Sequence, residues 1–416
     1  MTIPARNRFL LVNPRTGLTI DTCMSATLKD GFMDPLGSVE IEVSPLLNPA
    51  AGDPAFSDYL AGLQKGEEVQ LSIAGATQGS FLIQEVKEKY SAKGSATLTL
   101  SCQSLLCTAH EANVDPDDSI RSASDKSVEG VVLAVLQPIM ASLPGQALSV
   151  LADSQAHIDA LSGKPLPGGT APPFPVSAMK FKAAAAHEGE TCAAFLHKIV
   201  TRCGVVMLTD GDGNIRLVQP DFTQPNTFQV GLPADPDSPL PDGFDVFYEE
   251  VEITSSNKGQ YSEVNVTGQQ AQVQVGDAGP VNNVSRPKAS VKAIELDDFP
   301  SLSAYSSSVH PYKPLFKKDK FSGDAKKAMN AALLILGSRA QHAFVVKGRV
   351  DGMTSALTGG VWTVGTCGRV RVDARALDQS MFLLERTLHL TANDGEWTEL
   401  VLIPKGALVV GEPPGS

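Results

Sequence analysis

The chain has 416 residues, a formal net charge of −12, 42% hydrophobic and 19% charged residues. That length accommodates two to four domains with cores of their own, and the balance of apolar to charged residues excludes wholesale disorder. The negative charge argues against a nucleic-acid binder held by its overall field, and no apolar run approaches the roughly 20 residues of a membrane-spanning helix.

The opening residues, MTIPARNRFLLVNPRTG, lack the apolar stretch and cleavage site of a signal peptide, so folding in a cytoplasm is expected. The first hundred residues then read as β-structure. Residues 8–12 form a short strand, and residues 38–43 and 68–73 alternate with period two. Residues 81–86 and 96–102 complete a set of short, evenly spaced strands, the pattern of a barrel or sandwich. Between them Phe56, Tyr59, Leu60 and Leu63 fall at helical spacing, which places a short helix within 53–63. Gln78-Gly79 and Lys93-Gly94 are turn positions.

The character changes after that. Residues 112–125 are polar, with Asp115-Pro116-Asp117-Asp118 as a breaker. A helix opens at Ser127, carries Val131, Val132, Val135 and Leu136, and is limited by Pro138. A strand is expected over 147–151, and residues 153–187 read as loop, proline-rich over 164–175. The most fully specified stretch is 188–219. Thr191 can cap a helix, with Glu188 and Glu190 at its positive end. Cys192, Phe195, Leu196, Ile199, Val200 and Cys203 form one apolar stripe, and Gly204 ends it. A hairpin follows, 205–209 and 215–219, turning at Asp210-Gly211-Asp212-Gly213-Asn214.

Residues 221–245 carry five prolines and no clear period. The β pattern returns from Phe247, with strands over 261–268 and 289–296. Residues 302–323 are polar and hold Lys313, Lys317, Lys318 and Lys320, read as a solvated loop or as a contact for phosphates or an acidic partner. Asp324 can cap an alanine-rich helix through Leu336. Strands over 343–346, 361–364, 368–372, 380–390 and 398–403 finish the chain, with Asp394-Gly395 as a hairpin turn and a fraying tail over 411–416.

The chemical inventory is thin. No GxSxG, GxxxxGK[ST], strand-linked GxGxxG or HExxH occurs. Cys192, His197 and Cys203 share a helix, but His197 lies off the stripe, so the three do not converge on one ion. Asp210-x-Asp212-x-Asn214 starts like a calcium loop, but Ile215 stands where the turn glycine belongs and Asp221 where the closing Glu belongs. Glu249-Glu250 and Asp297-Asp298 are adjacent on expected strands and point to opposite faces, a poor arrangement for paired acid–base work. Trp362 and Trp397 are read as packing residues and the six cysteines as free thiols, buried where they sit on apolar patterns. No catalytic, cofactor or metal site is assigned.

The stretch GETCAAFLHKIVTRCGVVMLTDGDGNIRLVQP resembles a segment of the baseplate hub proteins of contractile phage tails, as in phage Mu. Further stretches match in the same order: LTLSCQSLLC at 98–107, YSEVNVTGQ at 261–269, Arg286-Pro287, VKGRVDG at 346–352, and the closing strands from Val361-Trp362 to Leu402. Cys102-Gln103-Ser104 departs from the family's Gly-Arg-Ser-like turn. The resemblance implies a β-rich α+β fold with two tube-protein-like β-barrels in one chain and an inserted small α/β domain. The implied division is a first barrel over 1–106, the insertion over 107–245, a second barrel with an inserted helix over 246–390, and a final strand and tail over 391–416.

It also implies a role: a homotrimeric, non-enzymatic hub that adapts a six-fold tail tube to a three-fold central spike. Expected partners are other copies of the chain, the tail tube or tube-initiator protein, the central spike protein and neighbouring baseplate proteins, with no membrane and no cofactor. DNA would pass only through the lumen, expected to be acidic. The expected location is the virion tail baseplate, assembled in the host cytoplasm. Alternatives are the hub part of a type VI secretion spike, a tail-tip cell-wall hydrolase, which needs an acid and nucleophile absent from the motifs, and a carbohydrate-binding β protein, which would want more than 6% aromatic residues.

Overall fold

The computed structural model describes residues 9–44, 56–91, 96–115, 128–140, 150–152, 186–202, 205–209, 214–218, 220, 224–235, 240–256, 261–268, 288–292, 314–319, 332, 335, 342–392 and 395–405. The amino-terminal β region holds β1 (Phe9–Val12), β2 (Thr19–Ile20), β3 (Ser25–Gly31), β4 (Asp34–Val43), β5 (Glu68–Ile73), β6 (Ala76–Tyr90) and β7 (Ala96–Ser104). Their order across the sheet is β3-β4-β7-β6-β5-β1-β2. Helix α1 (Phe56–Gly62) lies between β4 and β5 in the chain. In β5 and β7 alternate residues are buried, which is why period two was readable there.

A second β region lies at the carboxyl end. It holds β11 (Asn226–Leu232), β12 (Asp245–Ser255), β16 (Phe344–Asp351), β17 (Cys367–Val372), β18 (Leu377–Thr391) and β19 (Gly395–Pro404). The order β17-β11-β12-β16-β19-β18 returns to β17, so these six strands close into a barrel. Both regions contribute to one continuous apolar core, from Phe9 and Leu11 to Leu400 and Leu402.

The two regions share a frame. β4–β7–β6–β5 in the first corresponds to β16–β19–β18–β17 in the second, and β3 corresponds to β12. The registers agree residue by residue. Val39 faces Cys102, which faces Ile83; Val346 faces Leu402, which faces Leu383. Each long strand slips register at the matching point, between Ile83 and Glu85 in β6 and between Leu383 and Glu385 in β18, while β6 slips once more against β5, where Gln78 is passed over. At the matching bulge the Gly66 N–H donates to the Ile83 carbonyl at 2.8 Å, and the Gly365 N–H donates to the Leu383 carbonyl at 2.9 Å. Both glycines have positive φ, +84° and +82°, a conformation that side chains disfavour. One difference is clear: β1 runs antiparallel to β5, whereas β11 runs parallel to β17 and also to β12, which closes the barrel.

Between the β regions sits a small α/β unit. Helices α2 (Cys107–Glu111), α3 (Val128–Met140) and α4 (Cys192–Arg202) accompany a sheet of β8 (Val150–Ala152), β10 (Ile215–Val218) and β9 (Val206–Thr209). The α4 stripe is buried as its spacing requires, with Phe195 and Leu196 both at 0% exposure. The Thr191 hydroxyl accepts the Ala194 N–H at 3.2 Å, and Glu190 accepts the His187 N–H at 2.8 Å, so the capping expectation holds. Val206, with Leu208, packs this unit against Phe32 and Met33 of the turn between β3 and β4 and against Phe382 and Ile403 of the main sheet. A separate three-stranded sheet contains β13 (Glu263–Gly268), β14 (Lys288–Lys292) and β15 (Pro314–Asp319).

Several expectations need correction. The loose, proline-rich stretch contains β11, whose inward Phe228 and Val230 help close the barrel. The strand expected over 361–364 is a loop holding one isolated bridge, Thr354–Val361, and its Trp362 packs edge-on to Phe228 at 5.5 Å. Pro138 lies inside the last turn of α3 rather than ending it; the helix gives up the one bond that the missing N–H would make and stops two residues later at Met140. Lys317 and Lys318 lie on β15, paired with β13, not in a loop. Of the helix expected from Asp324, residues 332 and 335 are described, both helical and buried. The strand β3 adds to the expected set: no element was expected over residues 25–31.

Candidate assembly interface

Catalytic candidates come out dispersed. His197 is exposed while Cys192 is buried, and Cys203, Gly204, Asp210 to Gly213, Asp297 and Asp298 lie outside the described residues. Glu249 and Glu250 sit at a register slip of β12, between Tyr248 and Val251. Among the described residues no group of three or more His, Cys, Asp or Glu is placed to hold a metal ion. Also among them, no helix is long and apolar enough to cross a membrane. A cavity of about 60 Å³, lined in part by Asp30, Asp34 and Gln78, is well below the few hundred Å³ of a substrate pocket. Cys102, Cys107, Cys192 and Cys367 are buried free thiols; burial pushes the Cys102 thiol up to about 12, so it is inert.

The chemistry of the molecule lies in its strand edges. β18 bonds β19 along one edge and two different strands along the other. Its first part, from Leu377 to Phe382, pairs with β17; its second part, from Glu385 to Thr391, pairs with β3 of the amino-terminal region. This junction welds the two regions into one sheet. Arg386 is set into it with 5% of its side chain exposed, donating to Asp30 at 3.3 Å and Gln78 at 3.0 Å. Burial pulls the guanidinium below its ordinary pKa and the Asp30 charge opposes that. On the other face of β18, His389 stacks on Trp397 at 4.9 Å, and Arg349 lies over the same indole at 4.3 Å. Trp397 is therefore a packing residue, clamped between two cationic or polar neighbours.

β6, the counterpart of β18, also bonds two partners, β7 along one edge and β5 along the first part of the other. Beyond the bulge, among the described residues, no strand pairs with β6 on the side that β5 leaves. Lys87, Glu88, Lys89 and Tyr90 are exposed there, Tyr90 by 61%. β12, the counterpart of β3, is bonded to β16 over most of its length but to β11 only at Asp245 and Val246. Its remaining edge carries Val251 and Ile253, half-buried against the core, and exposed Glu252. Uncovered edges of this length invite pairing with another strand. Sequence reasoning named no interface residues; the signal present was the repeated length and slip of β6 and β18, which needs pairing to be seen.

The architecture is a two-region β fold that is shared with solved phage tail proteins. Among solved structures the chain is similar to the 43 kDa tail protein of prophage MuSo2 from Shewanella oneidensis, with a TM-score of 0.67, 13% identity, and 96% of this chain and 99% of that one covered. It is similar also to a tail protein from Neisseria meningitidis, with a TM-score of 0.66, 17% identity and 98% of each chain covered. A chain of the half-lidded Francisella PdpA–VgrG complex matches with a TM-score of 0.51 and 11% identity, over 98% of this chain and 59% of that one. No protein-family profile matches the chain, and a search of curated proteins finds no match. These likenesses establish the fold, as the β-rich multidomain expectation required.

Proposed function

We propose that this chain is a structural hub of a contractile phage tail, in which three copies form a ring of six similar β units. The observation that supports it is the repeated frame: β3 to β7 and the barrel from β12 to β19 have the same pairing order, the same registers and the same glycine-supported bulge. A chain carrying two such units lets three molecules present six, which matches a six-fold tube on one rim and a three-fold spike on the other. Its partners on this reading are the tube or tube-initiator protein, the spike protein and neighbouring baseplate proteins, within the virion. In domain terms the first unit spans 1–106, the α/β unit follows, and the second unit begins with β11.

The hub has no catalytic task of its own on this reading, and its lumen is acidic so that DNA slides without sticking. The likeness to a chain of the PdpA–VgrG complex supports a second reading, the hub part of a secretion spike, which keeps the same ring. Light scattering on the purified full chain tests both. A mass of three chains supports the ring, and a monomer at all concentrations overturns it. Clearing of peptidoglycan in a zymogram would overturn the non-enzymatic role.

A further inference from the structure

The junction inside one chain predicts the junction between chains. β18 beyond its bulge pairs with β3 in a fixed register: Arg386 opposite Asp30, Leu388 opposite Leu28, Leu390 opposite Ala26. The corresponding edges in the repeated frame are those of β6 beyond its bulge and of β12 beyond its short pairing with β11, and among the described residues no strand pairs with either stretch. These two edges belong to opposite regions, as β18 and β3 do. We infer that β6 of one copy pairs antiparallel with β12 of a second copy, in the register that β18 and β3 display.

That register follows from the matched pairings. Ile83 and Leu383 occupy equal positions, as do Leu28 and Ile253, since Leu28 faces Val39 and Ile253 faces Val346. Glu88 then lies opposite Ile253, Val86 opposite Ser255, and Tyr90 opposite Val251. Lys87 meets Thr254 and Lys89 meets Glu252 on the outward side.

Three observations fit this seam. Val86, Val251 and Ile253 are half-buried apolar residues packed against the core, so each edge carries apolar surface that a neighbouring strand would shield, with Val86 and Ile253 as diagonal neighbours across the seam. Lys89 and Glu252, both exposed, become directly opposed opposite charges, a favourable cross-strand pair. Tyr90 gains a β-branched neighbour in place of water. Because the surfaces differ, the contact is head-to-tail: each copy offers a β6 edge to one neighbour and a β12 edge to the other, which builds a ring when the rotation closes.

The seam rests on the ring proposed above, and the experiment separates the two. The full chain is made with Lys89→Cys and Glu252→Cys together, then oxidised or treated with a short bis-maleimide. Covalent dimers and trimers on a denaturing gel are expected from the double variant and not from either single variant. Lys89→Cys with Ile253→Cys, which places the second thiol on the other face of β12, should cross-link poorly. In parallel, Lys89→Glu should weaken association about two- to five-fold, and adding Glu252→Lys should restore it. A wild-type trimer by light scattering whose 89/252 pair does not cross-link, or cross-links no better than 89/253, overturns the seam and leaves the ring standing. A wild-type monomer at every concentration overturns both.

Discussion

The two β regions fill the same frame in different ways. In the first, Ile41 opposite Leu100 and Val69 opposite Phe81 supply side chains from the strands themselves. In the second, the matching positions opposite Leu400 and Met381 are Gly348 and Gly368. The space is taken by aromatics from neighbouring strands: a Cβ on Gly368 would lie 2.1 Å from the Phe228 ring, and one on Gly348 would lie 2.4 Å from Phe247. The barrel thus moves volume sideways from β16 and β17 to β11 and β12. That makes β11, in an unpromising proline-rich stretch, as necessary to the second core as any strand in the first.

Removing the aromatic tests this most severely. Phe228→Ala should cost about 3–5 kcal/mol, since the ring is 2% exposed and covers both Gly368 and Trp362. Urea unfolding reads it, and a loss under about 1 kcal/mol would mean that β11 is dispensable. Filling the glycine is the next largest change. Gly368→Val copies the first region's Val69 and should cost about 1–3 kcal/mol by overpacking, part of which Phe228→Ala in the same chain should recover.

The matched bulge glycines sharpen the comparison further. Both need positive φ, so alanine at either costs about 1 kcal/mol of backbone strain. At Gly66 nothing lies within 4 Å of the added carbon, whereas at Gly365 the Phe32 ring lies at 2.8 Å. Gly365→Ala should therefore lower the urea midpoint more than Gly66→Ala; equal losses would show that Phe32 yields freely.

The smallest effect is on pH dependence. Burial holds the His389 imidazole below its ordinary 6.5; Arg349 acts in the same direction, while Glu399 opposes. Thr27 on β3 and Trp397 on β19 face the same ring. A depressed pKa means that the unfolded chain takes up the proton first. This contribution is complete above about pH 6.5 and is lost as pH falls through the lower folded value. His389→Gln should flatten the loss of stability between neutral and mildly acid pH, read as melting temperature. Its counterpart Lys89 is exposed, and Lys89→Gln should leave that profile unchanged.

Much of the frame was legible in the residues because half-buried strands and an amphipathic helix write their period openly, as in Glu68–Ile73 and Cys192–Arg202. The repeat was not legible as similarity. A strand position asks for an inward or outward side chain, and Leu98 with Thr398, or Ile41 with Gly348, satisfy the same slot with different chemistry. β11 did carry a signal, Phe228, Val230 and Leu232 alternating between prolines, which the neighbouring breakers obscured. The loop over 361–364 looked like a strand because Trp362 and Val364 are apolar, though Gly360 and Gly365 flank it. The proposed seam had no sequence signal because an open edge is a property of pairing, not of any residue.

The long strand β18 also sets the order in which the molecule can be completed during synthesis. Arg386 reaches Asp30 across 356 positions of chain, and β3 acquires its outer neighbour only when residues 385–391 have left the ribosome. Until then the amino-terminal sheet waits with an exposed ladder, the kind of nascent species that chaperones protect from clumping. Translation that stops short of β18 therefore leaves a product prone to aggregate, so that only chains finished almost to their last strand can complete the sheet.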